Sequence, residues 1–96
     1  MVSAVNATDI CTRAAVLVGG DRDRRHGAKK QNFANIAALW NAWLAIRIDP
    51  AEPLDAHDVG VMMALLKAAR TQSGEPNVDD YVDGAGYLAC AGEVRS

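Results

Sequence analysis

Four segments with the apolar spacing of amphipathic helices, separated by glycine and proline stops, dominate this sequence. Apolar residues recur in them at i, i+3, i+4 and i+7, the period of a helix that buries one face. No segment shows the two-residue alternation of a half-buried strand. We therefore expect an all-α fold, a small four-helix bundle-like domain, with helices over residues 8–18, 28–47, 56–71 and 78–94.

The segments between the expected helices contain residues that end or begin helices. Two glycines at 19–20 stop the first helix, two prolines interrupt 48–54, and 73–76 forms a turn. Asp55 and Asn77 stand immediately before the third and fourth helices, where a side-chain oxygen can accept from free backbone amides.

Each helix has an apolar stripe that we expect to form the core. The stripe residues are Ile10, Ala14, Leu17 and Val18; Phe33, Ile36, Ala37, Trp40, Trp43 and Leu44; Val59, Met62, Met63, Leu66 and Ala69; and Val78, Tyr81, Val82, Ala85, Leu88 and Ala89. In the fourth helix, Gly84, Gly86 and Gly92 each cost about 1 kcal/mol relative to alanine. Such a cost suggests that another helix or a ligand approaches its backbone closely.

Length and composition limit the class of protein. The chain has 96 residues, half of them hydrophobic, which predicts one domain over residues 1–96. Neither a basic leader nor an apolar run of about 20 residues is evident, so we expect no membrane span and a cytoplasmic location in the host cell. The two cysteines, Cys11 and Cys90, have no ligand spacing that would indicate zinc.

The charge is unevenly distributed along the chain. The net charge is −2, but residues 21–30 contain five basic and two acidic side chains, a local charge of +3 on an acidic remainder. This patch is too short for extended nucleic-acid binding. Arg25, His26 and Lys29 lie in it, just before or at the start of the second helix, where an anion would be favoured. The alternative is an ordinary solvated loop.

Arg70 is the most informative single residue, because it lies on the apolar face of the third helix with Lys67 at the edge of that face. A buried, unpaired cation is costly. Arg70 could cap the last carbonyl groups of its own helix or reach past the helix end to water. Alternatively, it could hold a phosphate or carboxylate between the third and fourth helices.

Asp79 and Asp83 are one turn apart on the fourth helix and flank its apolar stripe. They could favour the helix dipole, pair with Lys67 or Arg70, or bind Mg²⁺. Trp40 and Trp43 suit a core or an oligomer interface better than a base-stacking platform. Four short helices cannot easily hide this much apolar surface, so we expect a homo-oligomer. No established catalytic signature is present.

Three blocks in order give the chain a family resemblance. They are NF-x-x-IA-x-LW within residues 25–44, DV-x-x-MM-x-LLK-x-AR at 58–70, and VD-x-AGY within 79–87. Together they resemble a phage-encoded family of small helical proteins of unknown function. Asn32 and Tyr87 belong to these blocks, and we include them with the expected ligand-binding residues.

A more distant likeness is to the MazG-like all-α nucleotide pyrophosphohydrolases, which bind Mg²⁺ through several acidic residues. Here Asp79 and Asp83 could match, but no second acidic pair faces them in sequence. The leading hypothesis is a phage accessory protein that binds a small phosphorylated ligand, a nucleotide, as a housekeeping binder or a sponge for a host signal. The alternatives are a degenerate Mg²⁺-dependent hydrolase and a protein–protein interaction module that uses the tryptophans and Met62–Met63.

Overall fold

A computed structural model describes residues 5–19 and 29–96, which form four helices and no strand. The helices are α1 (Ala7–Gly19), α2 (Lys29–Ile46), α3 (Ala56–Arg70) and α4 (Val78–Arg95). Their bounds agree with the sequence prediction to within one residue, and the all-α class is confirmed. None of the helices in the described ranges is long and apolar enough to cross a membrane.

The helices begin where the sequence provides capping side chains. Asn6, Asp55 and Asn77 each accept a backbone N–H at 2.9 Å, from Asp9, Asp58 and Asp79 respectively. At the start of α3 the bond is reciprocal, because the Asp58 carboxylate accepts the Asp55 N–H at 2.9 Å. These bonds satisfy amides that a helix leaves unpaired, so the expected caps of α3 and α4 are confirmed.

Helices α2 and α3 run antiparallel. The Trp40 indole Nε1–H donates to the Met62 carbonyl at 2.7 Å near the middle of the pair. Toward the C-terminus of α2, Arg47 donates to the Asp58 carboxylate at 3.0 Å and lies 6.0 Å from the ring centre of Trp43. Arg47 also donates to two carbonyl groups of the 47–55 connector, which fixes this turn against the helix pair.

Helices α3 and α4 also run antiparallel and approach each other most closely at two glycines. A Cβ atom added at Gly60 would lie 2.7 Å from the Cβ of Ala91, and one added at Gly84 would lie 3.3 Å from the Cβ of Lys67. The close approach predicted from the glycines of the fourth helix is confirmed at Gly84. At Gly86 and Gly92 an added Cβ would meet nothing within 4 Å, so those two glycines do not serve this contact.

The result is a single layer of helices in the order α2, α3, α4, with a small core. Ile36, Ala69 and Ala91 are the buried apolar residues of the described segments. Trp40, Trp43, Met62, Met63 and Leu66 are half-buried between α2 and its neighbour, as the stripes of those helices predicted.

Two of the predicted core stripes are exposed instead. Every residue of α1 is exposed, so this helix does not complete a bundle around the layer. The apolar stripe of α4 also faces away from α3, because the smaller side of α4 makes the closer contact through Gly84 and Ala91. The outward-facing stripe residues are Val78, Tyr81, Val82, Ala85, Leu88 and Ala89. Phe33 and Val59 are exposed as well.

Candidate ligand-binding site

Asn32 and Arg70 lie at the same level of the α2–α3 pair. The hydrogen bond from Trp40 to Met62 fixes the register of these antiparallel helices. Asn32 precedes Trp40 by eight residues, and Arg70 follows Met62 by eight residues. Because both helices rise by about 1.5 Å per residue, the two side chains start from matching heights.

Asp80 reaches the same level from α4. The close contact between Gly84 and Lys67 fixes the register of α3 and α4. Asp80 precedes Gly84 by four residues and Thr71 follows Lys67 by four, so Asp80 lies opposite the C-terminal end of α3. We call Asn32, Arg70 and Asp80 the polar cluster.

The polar cluster is buried but incompletely hydrogen-bonded. Asn32 is 4% exposed and Asp80 is 6% exposed. The Asn32 Oδ1 and the Arg70 Nε are both buried and have no hydrogen-bond partner. Among residues 5–19 and 29–96, no ion pair includes Arg70 or Asp80.

Burial without a partner is unfavourable for the Asn32 Oδ1 and for the Nε of the half-buried Arg70. A buried donor or acceptor left unsatisfied costs about 1–3 kcal/mol, and charged groups cost more. Native proteins therefore pair such groups or complete them with water, an ion or a ligand. Arg70 offers N–H donors, Asn32 an acceptor oxygen and Asp80 a carboxylate. The set suits a ligand that has both an anionic group and hydrogen-bond donors.

Lys67 and Asp83 lie one turn from the cluster and form an ion pair. The Lys67 Nζ is 3.1 Å from the Asp83 carboxylate. The lysine side chain is 14% exposed and the aspartate side chain 48% exposed, so the pair lies at the edge of the helix contact. The pairing that the sequence suggested as one role for Asp83 is thus observed, whereas a metal role remains a prediction.

The other predicted site residues that the structure describes lie outside the polar cluster. Lys29 is exposed at the start of α2, three residues before Asn32. Asp79 is exposed at the start of α4, and its backbone N–H donates to Asn77. Tyr87 is two turns beyond Asp80 on the same side of α4 and is partly exposed. Arg25 and His26 lie outside the described residues.

The sequence analysis did not single out Asp80. A signal for its burial was available. Asp80, Gly84, Tyr87 and Ala91 follow the i, i+4, i+7, i+11 spacing of one helix face. That face contacts α3 through the small residues Gly84 and Ala91, while the more hydrophobic face was taken for the core.

The proposed capping role of Arg70 is not seen. The carbonyl of Ala68 accepts from the backbone and hydroxyl of Thr71, and the carbonyl of Ala69 accepts from the Gln72 N–H. Arg70 itself is the last residue of α3, and its Nε is unpartnered. The end of α3 is therefore closed without help from the guanidinium.

A second group of polar side chains lies at the opposite end of the layer. Asp55, His57 and Asp58 bring possible ligand atoms within 4.8 Å of one another. However, the Asp58 carboxylate already accepts from Arg47 and from the Asp55 N–H. The backbone N–H of Asp58 lowers the pKa of the Asp55 carboxyl below its ordinary value of 3.8. These contacts cap α3 and explain the cluster without a metal ion.

Fold and site together define a small all-α domain with a buried polar cluster at one end of a three-helix layer. The family model described as Domain of unknown function (DUF6378) matches residues 9–95, and the chain belongs to that family. The resemblance to a small phage family of unknown function is thereby confirmed in its coarse form.

Two relatives are bacteriophage proteins. The chain is 31% identical over 85 residues to the Gene 55 protein of Mycobacterium phage D29, covering 88% of this chain and 52% of the relative. It is 38% identical over 79 residues to the Gene 55 protein of Mycobacterium phage L5, covering 81% of this chain and 47% of the relative. The chain thus spans about half the length of these curated relatives. No solved structure matches the chain.

Proposed function

We propose that this phage-family domain binds a small phosphorylated ligand, a nucleotide, at the polar cluster. The observation that supports this most directly is the pair of buried, unpartnered atoms, Arg70 Nε and Asn32 Oδ1, at one level of the helix layer. A ligand that satisfies both would remove an unfavourable free energy from the folded state. Binding a host nucleotide signal, and so withholding it from the host, is one use of such a site in the host cytoplasm.

The chemistry of the cluster favours a nucleotide over a simple anion. The planar guanidinium of Arg70 can bind two oxygen atoms of one phosphate. Asn32 Oδ1 and the Asp80 carboxylate are acceptors, which inorganic phosphate in its fully ionised form would not satisfy. A base or ribose supplies N–H and O–H donors. Lys67 lies three residues before Arg70, and Lys29 lies three residues before Asn32. Both lysines can therefore add positive charge at the edge of the polar cluster.

The charge arrangement separates this proposal from a Mg²⁺-dependent hydrolase. Lys67 and Arg70 on α3 are three residues apart, and they lie level with Asp83 and Asp80 on α4. A divalent cation bound between Asp79 and Asp83, as the hydrolase alternative requires, would have two cationic side chains nearby. Asp83 already pairs with Lys67. Binding without hydrolysis is therefore the better supported function.

The test is a thermal-shift screen of the full chain against linear and cyclic nucleotides, each with and without Mg²⁺. A ligand present at 100 times its dissociation constant should add about 2.7 kcal/mol to the free energy of unfolding. Release of pyrophosphate or phosphate is measured on every ligand that stabilises the chain. Stabilisation without release supports the proposal, and Mg²⁺-dependent release supports the hydrolase instead.

Variants at Arg70 locate the site. Arg70→Ala should abolish the ligand-induced shift, and Arg70→Lys should weaken it, because the bidentate fork is lost. Arg13→Ala is the matched control, since Arg13 is an exposed arginine of α1. If Arg70→Ala binds as tightly as the unchanged chain, then Arg70 is not part of the site and the proposal is wrong. A screen in which no nucleotide stabilises the chain would also reject it.

A further inference from the structure

Helix α4 has an outer face whose spacing is that of a helix-pairing seam. Its outward apolar residues recur at alternating intervals of three and four, at positions 78, 81, 85, 88 and 92, with two more at 82 and 89. This is the a/d pattern by which two helices interlock side chains. Val78 is 72% exposed and Tyr81 66% exposed, so no part of the described chain covers the seam.

An apolar groove continues this seam onto α3. The groove has a volume of about 420 Å³ between the outer sides of α3 and α4. Large side chains such as Leu65, Tyr81 and Leu88 line it beside small ones such as Ala64 and Ala85. The surface therefore offers both protruding and recessed positions, as an interface between helices requires.

The exposed area of the chain is larger than that of a compact monomer. A folded monomer of 10.2 kDa exposes roughly 5,300 Å², whereas this chain exposes 7072 Å². The radius of gyration is 16.1 Å, against about 12.5 Å for a compact chain of this length. The excess of roughly 1,700 Å² belongs to the whole chain, and the exposed helix α1 accounts for part of it, so the outer face of α4 supplies only a share of this area.

The order of side chains along the seam is self-complementary about Ala85. In an antiparallel pair with a twofold axis at this residue, positions equally far before and after Ala85 face each other. Tyr81 then faces Ala89 of the second copy, and Val78 faces Gly92. These two pairs place a large residue opposite a small one, while Leu88 faces Val82, and the axis itself falls on a small residue that permits close approach.

Charge also favours the antiparallel direction. The first half of α4 contains Asp79, Asp80 and Asp83, whereas its second half is neutral, with Glu93 and Arg95. A parallel pair would place the acidic halves side by side. An antiparallel pair separates them and aligns the helix dipoles favourably.

We propose that the outer face of α4 binds α4 of a second copy of this chain, antiparallel, about a twofold axis at Ala85. The groove between α3 and α4 then receives side chains of the second copy on both sides of the axis. The interface is isologous, as in most homodimers. This proposal does not rest on the ligand proposal, because neither Asn32 nor Arg70, which carry the unpartnered atoms, lines the groove; Asp80 is the one member of the polar cluster that does.

The test uses a cysteine placed on the proposed axis. Cys11 and Cys90 are free and exposed, so both are first replaced by serine. In that background Ala85→Cys should give a covalent dimer on oxidation or with a short bis-maleimide, because the two copies of residue 85 meet. Ala42→Cys, which changes an exposed alanine of α2, is the matched control and should give no covalent dimer under the same treatment.

Sedimentation supplies the second measurement. The unchanged chain at tens of micromolar should have twice the monomer mass, and Leu88→Lys should reduce it to the monomer mass with an unchanged far-UV spectrum. Val16→Lys, on the exposed surface of α1, should leave the dimer intact. A monomeric unchanged chain overturns the proposal and leaves the seam to a different partner. A dimer without the residue-85 cross-link also overturns it, since the copies then meet through another face.

Discussion

At the scale of residues, Asn32 is a side chain whose buried amide oxygen lowers the free energy of unfolding of the folded chain. The side chain is 4% exposed and its Oδ1 has no partner. A leucine, which has the same branching but a larger volume, would need no hydrogen bond there. The retention of asparagine is understandable if the amide contacts a ligand, because binding sites commonly exchange stability for function.

We therefore predict that Asn32→Leu stabilises the ligand-free chain. Removing an unsatisfied buried acceptor should raise the free energy of unfolding by about 1–3 kcal/mol, which shifts the melting temperature by several degrees in a domain of this size. The same variant should lose the nucleotide-induced shift. Denaturant unfolding with and without ligand measures both effects.

Asn35→Leu is the comparison on the same helix, because Asn35 is less buried and its Oδ1 accepts from the Gln31 side chain at 2.8 Å. It should leave ligand binding unchanged. Destabilisation by Asn32→Leu would show that the Oδ1 is satisfied in solution, and the ligand argument would lose its main support.

At the scale of elements, the contact between α3 and α4 depends on the absence of side chains. Gly60 and Gly84 allow the two backbones to approach, and this approach places Lys67 next to Asp83 and Asp80 level with the end of α3. A glycine inside a helix is otherwise unfavourable by up to about 1 kcal/mol relative to alanine. The glycines are therefore explained by packing at these two positions.

Two glycine-to-alanine substitutions should have opposite effects on stability. Gly60→Ala gains helix propensity, but its Cβ would lie 2.7 Å from the Cβ of Ala91, so the helices must separate. Overpacking of this kind costs about 1–3 kcal/mol and should outweigh the gain. Gly86→Ala meets nothing within 4 Å and should stabilise the chain by about 0.5–1 kcal/mol.

Urea unfolding of the two variants at one protein concentration measures this difference. Stabilisation by both would mean that α3 and α4 are further apart than described, and the register that places Asp80 in the polar cluster would then be wrong. A loss of stability at Gly86 would instead indicate that the second copy proposed to bind α4 comes into contact with residue 86.

At the scale of the whole molecule, the chain consists of a three-helix layer and one helix that adds little to it. Helix α1 has 13 residues, and all of them are exposed. An isolated helix of this length is marginally stable in water, because tertiary contacts usually supply most of a helix's stability. The expectation of one cooperative bundle over residues 1–96 therefore calls for a measurement of local stability.

Native-state hydrogen exchange should divide the chain into two parts. The amides of α1 should exchange through openings of low free energy, whereas those in the middle of α3 should exchange only on global unfolding. Residues such as Ala14 in α1 and Leu66 in α3 report the two behaviours. Equal protection of both helices would show that α1 is docked in solution, either on its own chain or on another copy.

Much of the secondary structure follows from local chemistry, and the sequence was sufficient for it. The caps Asp55 and Asn77, the prolines of the connector and the turn at Gly74, with its φ of 68°, act within a few residues of where they stand. Such signals need no knowledge of neighbouring helices. The helix bounds and the all-α class could therefore be predicted closely.

The sequence by itself also determined that Arg70 lies on a packed face and requires a partner, because helical period and charge are local properties. Only the tertiary structure decided which face of α4 packs. Hydrophobicity favoured the face with Tyr81 and Leu88, but the glycine at 84 and the alanine at 91 let α3 approach more closely on the other side. That choice buries Asp80 and exposes the apolar seam. A periodic pattern gives the direction of each face but not the distance at which another helix can meet it.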